Sequence, residues 1–252
     1  GASKLLASIR GQTDLLAQAA SWFAETILAE RMVHVFGSGH SRIMVEEMWP
    51  RYGSFPGFNP IVELSLTHHT QVVGSNGQRQ AMFLENISGL AARILRNFNC
   101  SDKDSALVVS SSGCNIVPIE VANEFQKQGI RVVAIVSKAH LEASESKRDD
   151  GKKLSDFADL VLDTGAPAGD AMVKVEGLDL PVSPGSTVGG CVIVNTINGD
   201  SNVPFYKELG NQGLKAEDIP VIAFSVGEEE LRGIDTKPLV GHLAAWNYFM
   251  SV

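Results

Sequence analysis

Three stretches of this sequence combine small hydroxyl residues with glycine: GSGHS at 37–41, SSSGCN at 110–115 and SPGSTVGG at 183–190. Each stands immediately before a segment of helical spacing. The first two also follow apolar runs, MVHVF (32–36) and ALVVS (106–110). A helix start carries unpaired backbone N–H groups and a partial positive charge. Glycine lets a backbone approach a ligand closely, and serine and threonine add short donors, so such a turn can cradle a phosphate. In the first loop the expected contacts are Gly37, Ser38, Gly39 and Ser41. A single loop of this kind is explained as a cap or a turn; three of them point to a ligand. No GKS or GKT is present, and GSGHSR departs from GxGxxG at Arg42, so a nucleotide is not expected.

The elements that carry these loops follow from hydrophobic spacing. Leu5, Ile9, Leu16, Ala20, Phe23 and Ile27 form one stripe and predict a long amphipathic helix over 3–30. MVHVF predicts a strand and is followed by a helix through Met48. Residues 51–60 are turn-rich, IVELSL (61–66) reads as a strand, and 67–80 reads as loop. Helical spacing returns over 81–98. ALVVS predicts a strand, 116–128 a helix closed by Gly129, and RVVAIVS (131–137) another strand. Interleaved charges make 141–155 a solvated connection. ADLVLD (158–163) and AMVKVEG (171–177) read as strands, and SPGSTVGG opens a helix to about 198. IPVIAF and a helix around 238–250 are expected in the tail. Strands alternating with helices predict a parallel sheet covered on both faces, with ligands at the carboxyl ends of the strands.

Bulk properties narrow the function classes. The 252 residues are 44% apolar and 20% charged, with a net charge of -8. That composition suits one α/β unit with a sizeable core. Nucleic acid and anionic membranes need a basic surface, so neither is an expected partner. The three cysteines form no CxxC pair and are odd in number. No apolar run approaches the roughly 18 residues of a membrane span, and the opening GAS is not a signal peptide. A cytoplasmic protein is expected. No His/Cys/Asp/Glu cluster has metal-ligand spacing, and neither a metal nor another cofactor is expected.

The segment VHVFGSGHS…LVVSSSGCNIVPIEVANEFQKQGIRVVAIVS resembles the sugar isomerase (SIS) domain of phosphosugar isomerases and binders. SKAHLEASESKRDDGKKLSDFADLVLDTGAPAGDA is similar to a bacterial branch known as sugar isomerase domain-containing proteins. The resemblance spans about residues 3–200. It implies a three-layer α/β sandwich of flavodoxin-like type, with a parallel, roughly five-stranded sheet. It also implies a homodimer or homotetramer and a phosphorylated sugar whose phosphate sits on the SSSG loop. Carried over by position, that loop supplies Ser110, Ser111, Ser112, Gly113 and Asn115. The family's third element matches Ser186 and Thr187, and GST before a helix also resembles the N-acetylmuramic acid 6-phosphate etherases.

Aldose–ketose isomerisation needs a base that moves a proton between adjacent carbons and an acid–base group that helps the ring open. Resemblance to the heptose phosphate isomerases implies Glu47, in VEEMWPRYG, as the base. Glu85 is the second candidate, read at the start of a helix, where a carboxylate also suits the dipole. The etherases' second glutamate aligns with Ser88, which cannot act as a base. Histidines titrate near neutrality: His40 lies inside the first loop and His140 follows the third strand. His68 and His69 are neighbours in a loop, His34 alternates within a strand as an interior residue, and His242 reads as structural. Where the heptose isomerases carry a histidine on a late helix, this chain has Asn195. Cys114 is expected to pack.

The sequence therefore predicts one SIS domain over 1–252, with an N-terminal helix at 3–30 and a C-terminal extension from about 200 to which it assigns no role. The expected function is phosphosugar isomerisation. A non-catalytic phosphosugar sensor and a lyase acting on an N-acetylated amino sugar phosphate are the alternatives.

Overall fold

The computed structural model describes residues 2–49, 57–66 and 77–200, together with 211, 222–223, 240 and 243–244. Strands β1 (Val33–Gly37), β2 (Phe58–Ile61), β3 (Ser105–Val109), β4 (Arg131–Val136) and β5 (Leu160–Asp163) form a parallel sheet in the order β2-β1-β3-β4-β5. The sequence reverses direction across this sheet between β1 and β3. In register, Gly37 stands beside Val109 and Val109 beside Ile135. The three loops that leave β1, β3 and β4 therefore start at one level, around the switch point where such sheets bind ligands.

The strands read as continuous apolar runs because both faces are covered. Val35, Leu107, Val109, Val133, Ile135 and Leu162 face one core, against α1 (Ala2–Arg10), α2 (Thr13–Leu28), α3 (Arg42–Glu47) and α8 (Ser186–Asp200). Phe36, Ala106, Val108, Val132, Ala134 and Val136 face the other. That face is covered by α5 (Leu90–Leu95) and α6 (Ile116–Lys127), with α4 (Gly77–Leu84) and α7 (Lys138–Ala143) near its rim. Phe23 and Phe125 are fully buried, one on each side. Removing a buried phenylalanine ring costs about 3–5 kcal/mol.

Several elements differ from the sequence reading. The helix expected over 3–30 is two helices, α1 and α2, divided at Gly11 and Gln12. There the Gln12 amide pairs with the backbone of Asp163 on β5: its Nε2 donates to the Asp163 carbonyl and its Oε1 accepts the Asp163 N–H, both at 2.8 Å. The strand expected over 61–66 is displaced. β2 begins at Phe58, inside the stretch read as loop, and Leu64–Leu66 is a 3-10 turn. Pro60 is tolerated because β2 lies at the sheet edge. The helix expected over 81–98 is also two pieces, and α4 already starts at Gly77, in the stretch read as loop. Gly89 adopts φ +83° between them, and the Glu120 carboxylate accepts from Ser88 Oγ (2.6 Å) and the Gly89 N–H (2.8 Å).

The strand read at 171–177 is short: β6 (Ala171–Val173) pairs antiparallel with β7 (Val182–Pro184), and the residues between are exposed. In the tail, Ile222–Ala223 and Leu243–Ala244 pair as parallel strands, so the helix expected over 238–250 is not continuous. The remainder of that expectation, like His68, His69 and His242, lies outside the described residues. At the sheet end remote from the loops, His34 is a satisfied interior residue. Its Nε2 lies 3.1 Å from Asp104 Oδ2, and its Nδ1 lies 2.9 Å from Asn59 Nδ2. Asp104, fully buried, also accepts from Arg31 and from the N–H groups of Met32 and Ser101.

Candidate functional site

The loops after β1 and β3, the start of α7 and the turn before α8 surround a cavity of about 340 Å³. Such a volume falls in the range of small-molecule sites. Ser38, Gly39, His40 and Ser41 form one wall, and Ser110, Ser111, Ser112 and Asn115 a second. Asp170, Ser186 and Thr187 supply a third, while Glu85 and His140 also face the cavity. Met44, Met82 and Pro184 add apolar surface. Among the described residues the lining contains no lysine or arginine.

The second loop owes its shape to Gly113. Its φ is +63°, and a Cβ there would stand 2.6 Å from Leu141 Cδ1. The turn closes on itself: Gly113 N–H donates to Ser110 Oγ (3.2 Å), and Cys114 N–H donates to Ser112 Oγ (3.3 Å). Both serine oxygens act there as acceptors, so their hydroxyl protons stay available. Behind the loop, the segment read as a solvated connection is a brace. Leu154 N–H donates to the Gly113 carbonyl (2.8 Å) and Lys147 N–H to the Cys114 carbonyl (2.9 Å). Lys153 Nζ ties that segment to the carbonyls of Leu141 (2.5 Å) and Ser144 (2.6 Å). Cys114 is buried beneath the loop, and burial pushes its thiol pKa up against the nearby charges of Lys153 and Lys147. It packs, as expected.

The start of α6 offers fewer donors than its position suggests. Asn115 stands at the N-cap without capping, Val117 N–H is taken by the Glu85 carbonyl (2.9 Å), and Pro118 has no N–H. The serine hydroxyls and the turn backbone are left as the main donors of this wall.

Glu85 follows the last turn of α4, not the start of a helix. The dipole there disfavours a carboxylate, so the capping account is removed. Its carboxylate is held by Ser38 Oγ at 2.8 Å. With its carbonyl on α6 and its side chain on the first loop, Glu85 bridges two walls of the cavity. Glu47, the sequence's first choice of base, ends α3 and is not among the lining residues. It lies toward α8, where burial first and the Glu47 charge second raise the Cys191 thiol pKa. His140 points Nδ1 at Ser111 Oγ from 3.5 Å, and its N–H is capped by Ser137 Oγ. His40 is exposed at the cavity's rim. Gly37 lies beneath the first loop, where a Cβ would meet the Ser41 carbonyl at 2.8 Å. Asn195 is exposed and donates to the Cys191 carbonyl, and Ser88 is engaged with Glu120; neither lines the cavity.

Asp170 was missed by sequence reasoning. Its carboxylate accepts from the N–H groups of Gly185 (2.9 Å) and Ser186 (2.6 Å) and from Ser186 Oγ (2.5 Å). The start of α8 is thus occupied by the protein's own anion, and the Ser186 hydroxyl donates to it and not to the cavity. Asp170 stands in the DTGAPAGDA block, but its partners are 15 and 16 residues away across the β6–β7 ribbon. Spacing alone gives no sign of the contact.

The SIS domain family model matches residues 2–137. The chain belongs to the SIS domain family. Curated SIS relatives carry the name UPF0309. One from Listeria innocua is 34% identical over 186 residues, which is 74% of this chain and 73% of the relative. Another, from Brucella anthropi, is 35% identical over 196 residues, 77% of each chain. Among solved structures, the phosphoheptose isomerase of Francisella tularensis shares the fold with a TM-score of 0.51 at 15% identity. It covers 79% of this chain and 91% of the isomerase. The enzyme of Neisseria gonorrhoeae gives 0.50 at 13% identity over the same shares. The five-stranded parallel sheet flanked by helices is thus the SIS architecture that the sequence predicts. A second family model, a periplasmic binding protein domain, matches residues 183–252. Among the described residues no helix is long and apolar enough to cross a membrane, and no group of three or more His, Cys, Asp or Glu is placed to hold a metal ion.

Proposed function

We propose that this SIS domain binds a phosphorylated sugar in the cavity and isomerises it by proton transfer between adjacent carbons. One observation carries the reading. Among the described residues no acceptor takes the hydroxyl protons of Ser110 and Ser112 in the second loop, and a carboxylate, Glu85, stands in the same cavity and accepts from Ser38. The phosphate is held by Ser110, Ser111, Ser112 and the Asn115 turn, with Gly113 shaping it. Glu85 removes the proton from the carbon beside the carbonyl while the carbonyl oxygen gains one, which gives an enediol. Return of the proton to the neighbouring carbon and loss of the other hydroxyl proton complete the exchange of aldose for ketose. His140, against Ser111, is the acid–base group for ring opening, with His40 at the mouth. Ser41 and Thr187 hydroxyls contact the sugar. Two proteins that share the fold are phosphoheptose isomerases, which agrees with a phosphosugar ligand.

Assembly as a homodimer or homotetramer belongs to the same reading. The exposed Val173, Val175, Leu178, Leu180 and Val182 of the β6–β7 ribbon, which continues into the cavity wall at Pro184, support a second copy there. Light scattering tests it: a monomer at micromolar concentration rejects this part. The same reading keeps a single SIS domain over 1–252, in the cytoplasm, with a C-terminal extension from about 200 to which no role is assigned.

The decisive experiment is exchange of the substrate's C2 proton with deuterated water, followed by NMR across a panel of hexose, heptose and amino-sugar phosphates. Exchange with one of them, lost in Glu85→Gln while binding persists, is the expected result. Binding without exchange identifies a sensor and rejects the isomerase.

A further inference from the structure

Ser137, between β4 and α7, is fully buried and is not among the residues that line the cavity, yet each of its polar groups is engaged. Its N–H donates to the Ser111 carbonyl (2.9 Å), and its carbonyl accepts from Leu141 N–H (2.8 Å). Its Oγ donates to the Ala166 carbonyl (2.7 Å) and accepts from His140 N–H (3.1 Å). One residue thus joins the loops that leave β3, β4 and β5. His140 is the third residue of α7, where a backbone N–H has no partner inside its own helix. The Ser137 hydroxyl is what holds it.

That hold bears on the imidazole. His140 Nδ1 lies 3.5 Å from Ser111 Oγ, at the far limit of a hydrogen bond, so a small displacement of His140 decides whether the bond forms. Either the Ser111 hydroxyl donates to Nδ1 or Nδ1–H donates to the Ser111 oxygen. A phosphate oxygen on this wall takes the Ser111 proton, because hydrogen bonds to an anion are the stronger ones. Nδ1 can then only donate. In the neutral ring the lone pair passes to Nε2, which accepts no hydrogen bond among the described residues.

We propose that Ser137 is a positioning residue: it keeps His140 within reach of Ser111, so that an anion on the Ser111 hydroxyl sets the imidazole proton on Nδ1 and frees Nε2 to act as a base. The inference rests on the phosphosugar reading of the cavity. It goes further by making the acid–base group respond to occupancy of the phosphate site. Nε2 then takes the proton of the sugar's anomeric hydroxyl. The carbonyl forms as the bond from that carbon to the ring oxygen breaks, and the ring oxygen takes the proton back from Nε2. With the phosphate site empty, the Ser111 proton rests on Nδ1 and Nε2 carries the ring's own proton.

Nitrogen NMR of the isotope-labelled whole chain tests this, with inorganic phosphate titrated at fixed pH and ionic strength. Two-bond proton–nitrogen spectra report which ring nitrogen carries the proton, and His140→Gln identifies the signals of His140. The expected result is that phosphate moves the proton of His140 to Nδ1 in the wild type and that Ser137→Ala loses this response. Ser137→Thr, which keeps the hydroxyl, should retain it. A merely structural role would lower the melting temperature of Ser137→Ala and leave the response as in the wild type, which overturns the proposal. Loss in Ser137→Thr as well assigns the effect to packing and also overturns it. Should Ser137→Ala fail to fold, hydrogen exchange in the wild type decides: a His140 amide that exchanges as fast as an exposed one shows that Ser137 does not hold it. Phosphate that shifts the Ser110, Ser111 and Ser112 amides without moving the His140 proton overturns the inference and leaves the phosphosugar reading standing. Phosphate that shifts none of these signals overturns both.

Discussion

Replacing Gly113 with alanine tests whether the serine loop is held in shape by one backbone conformation. Two costs are separable. A residue with a Cβ in the left-handed region at φ +63° is disfavoured by about 1–2 kcal/mol. The added Cβ would also stand 2.6 Å from Leu141 Cδ1, 3.4 Å from Leu154 Cβ and 3.5 Å from Val136 Cγ1. The Leu141 contact is with the end of a half-buried side chain that can turn away, so the packing cost falls at the low end of the range, about 1 kcal/mol. The sum, about 2–3 kcal/mol, corresponds to a fall in melting temperature of roughly 4–12 °C for a chain of this size. Urea unfolding of Gly113→Ala, Leu141→Ala and the double variant makes a double-mutant cycle. The double variant should recover the packing part and keep the backbone part. Full recovery by Leu141→Ala, or no loss in Gly113→Ala, would refute the claim that the turn requires glycine.

Ser111→Ala should weaken binding of a sugar phosphate by about tenfold or more, since a hydrogen bond to a charged group contributes about 1.5–3 kcal/mol, while the melting temperature stays put; unchanged affinity in calorimetry removes Ser111 from the phosphate site. Gln12→Ala deletes both bonds to Asp163 and should cost about 1–2 kcal/mol in urea unfolding, a value near zero being the contrary result. Burial works to raise the Asp104 carboxyl, but hydrogen bonds from Arg31, His34, Ser101 and Met32 outweigh it and hold the pKa below the ordinary value. A depressed folded-state pKa contributes stability that is complete above the unfolded value and fades as pH falls through the folded one. Asp104→Asn should therefore lose about 2 kcal/mol near neutrality, with the gap to wild type closing in acid; parallel stability curves from pH 7 down to the acid transition would contradict it.

What could be read from the chain depended on how far apart the interacting residues lie. The strands β1, β3 and β4 were legible because burial on both faces leaves uninterrupted apolar runs, and the serine turns because their chemistry is local. The helix breaks were not legible. Gln12 interrupts an apolar stripe that runs on regardless, and its partner Asp163 is 151 residues away. The turn at Ser88 and Gly89 is held by Glu120, 31 and 32 residues on. β2, with Asn59 and Pro60, has turn composition and becomes a strand through pairing with β1 alone. Glu85, the second candidate base, lines the cavity but was assigned the wrong helix end, because the start of α4 at Gly77 lies in a polar stretch. Asp170 escaped notice for the same reason as Gln12: its partners are close in space and remote along the chain.

The glutamine amide on β5 also decides where the sheet stops. A side-chain amide carries the donor and acceptor of a peptide unit, so Gln12 behaves as a strand one residue long. At Asp163 it occupies the N–H and the carbonyl that would otherwise invite a foreign chain to continue the ladder. The opposite flank is guarded by the missing N–H of Pro60. A sheet finished at both margins in this way has little capacity to template fibrous growth, even though its strands are among the most apolar segments of the molecule.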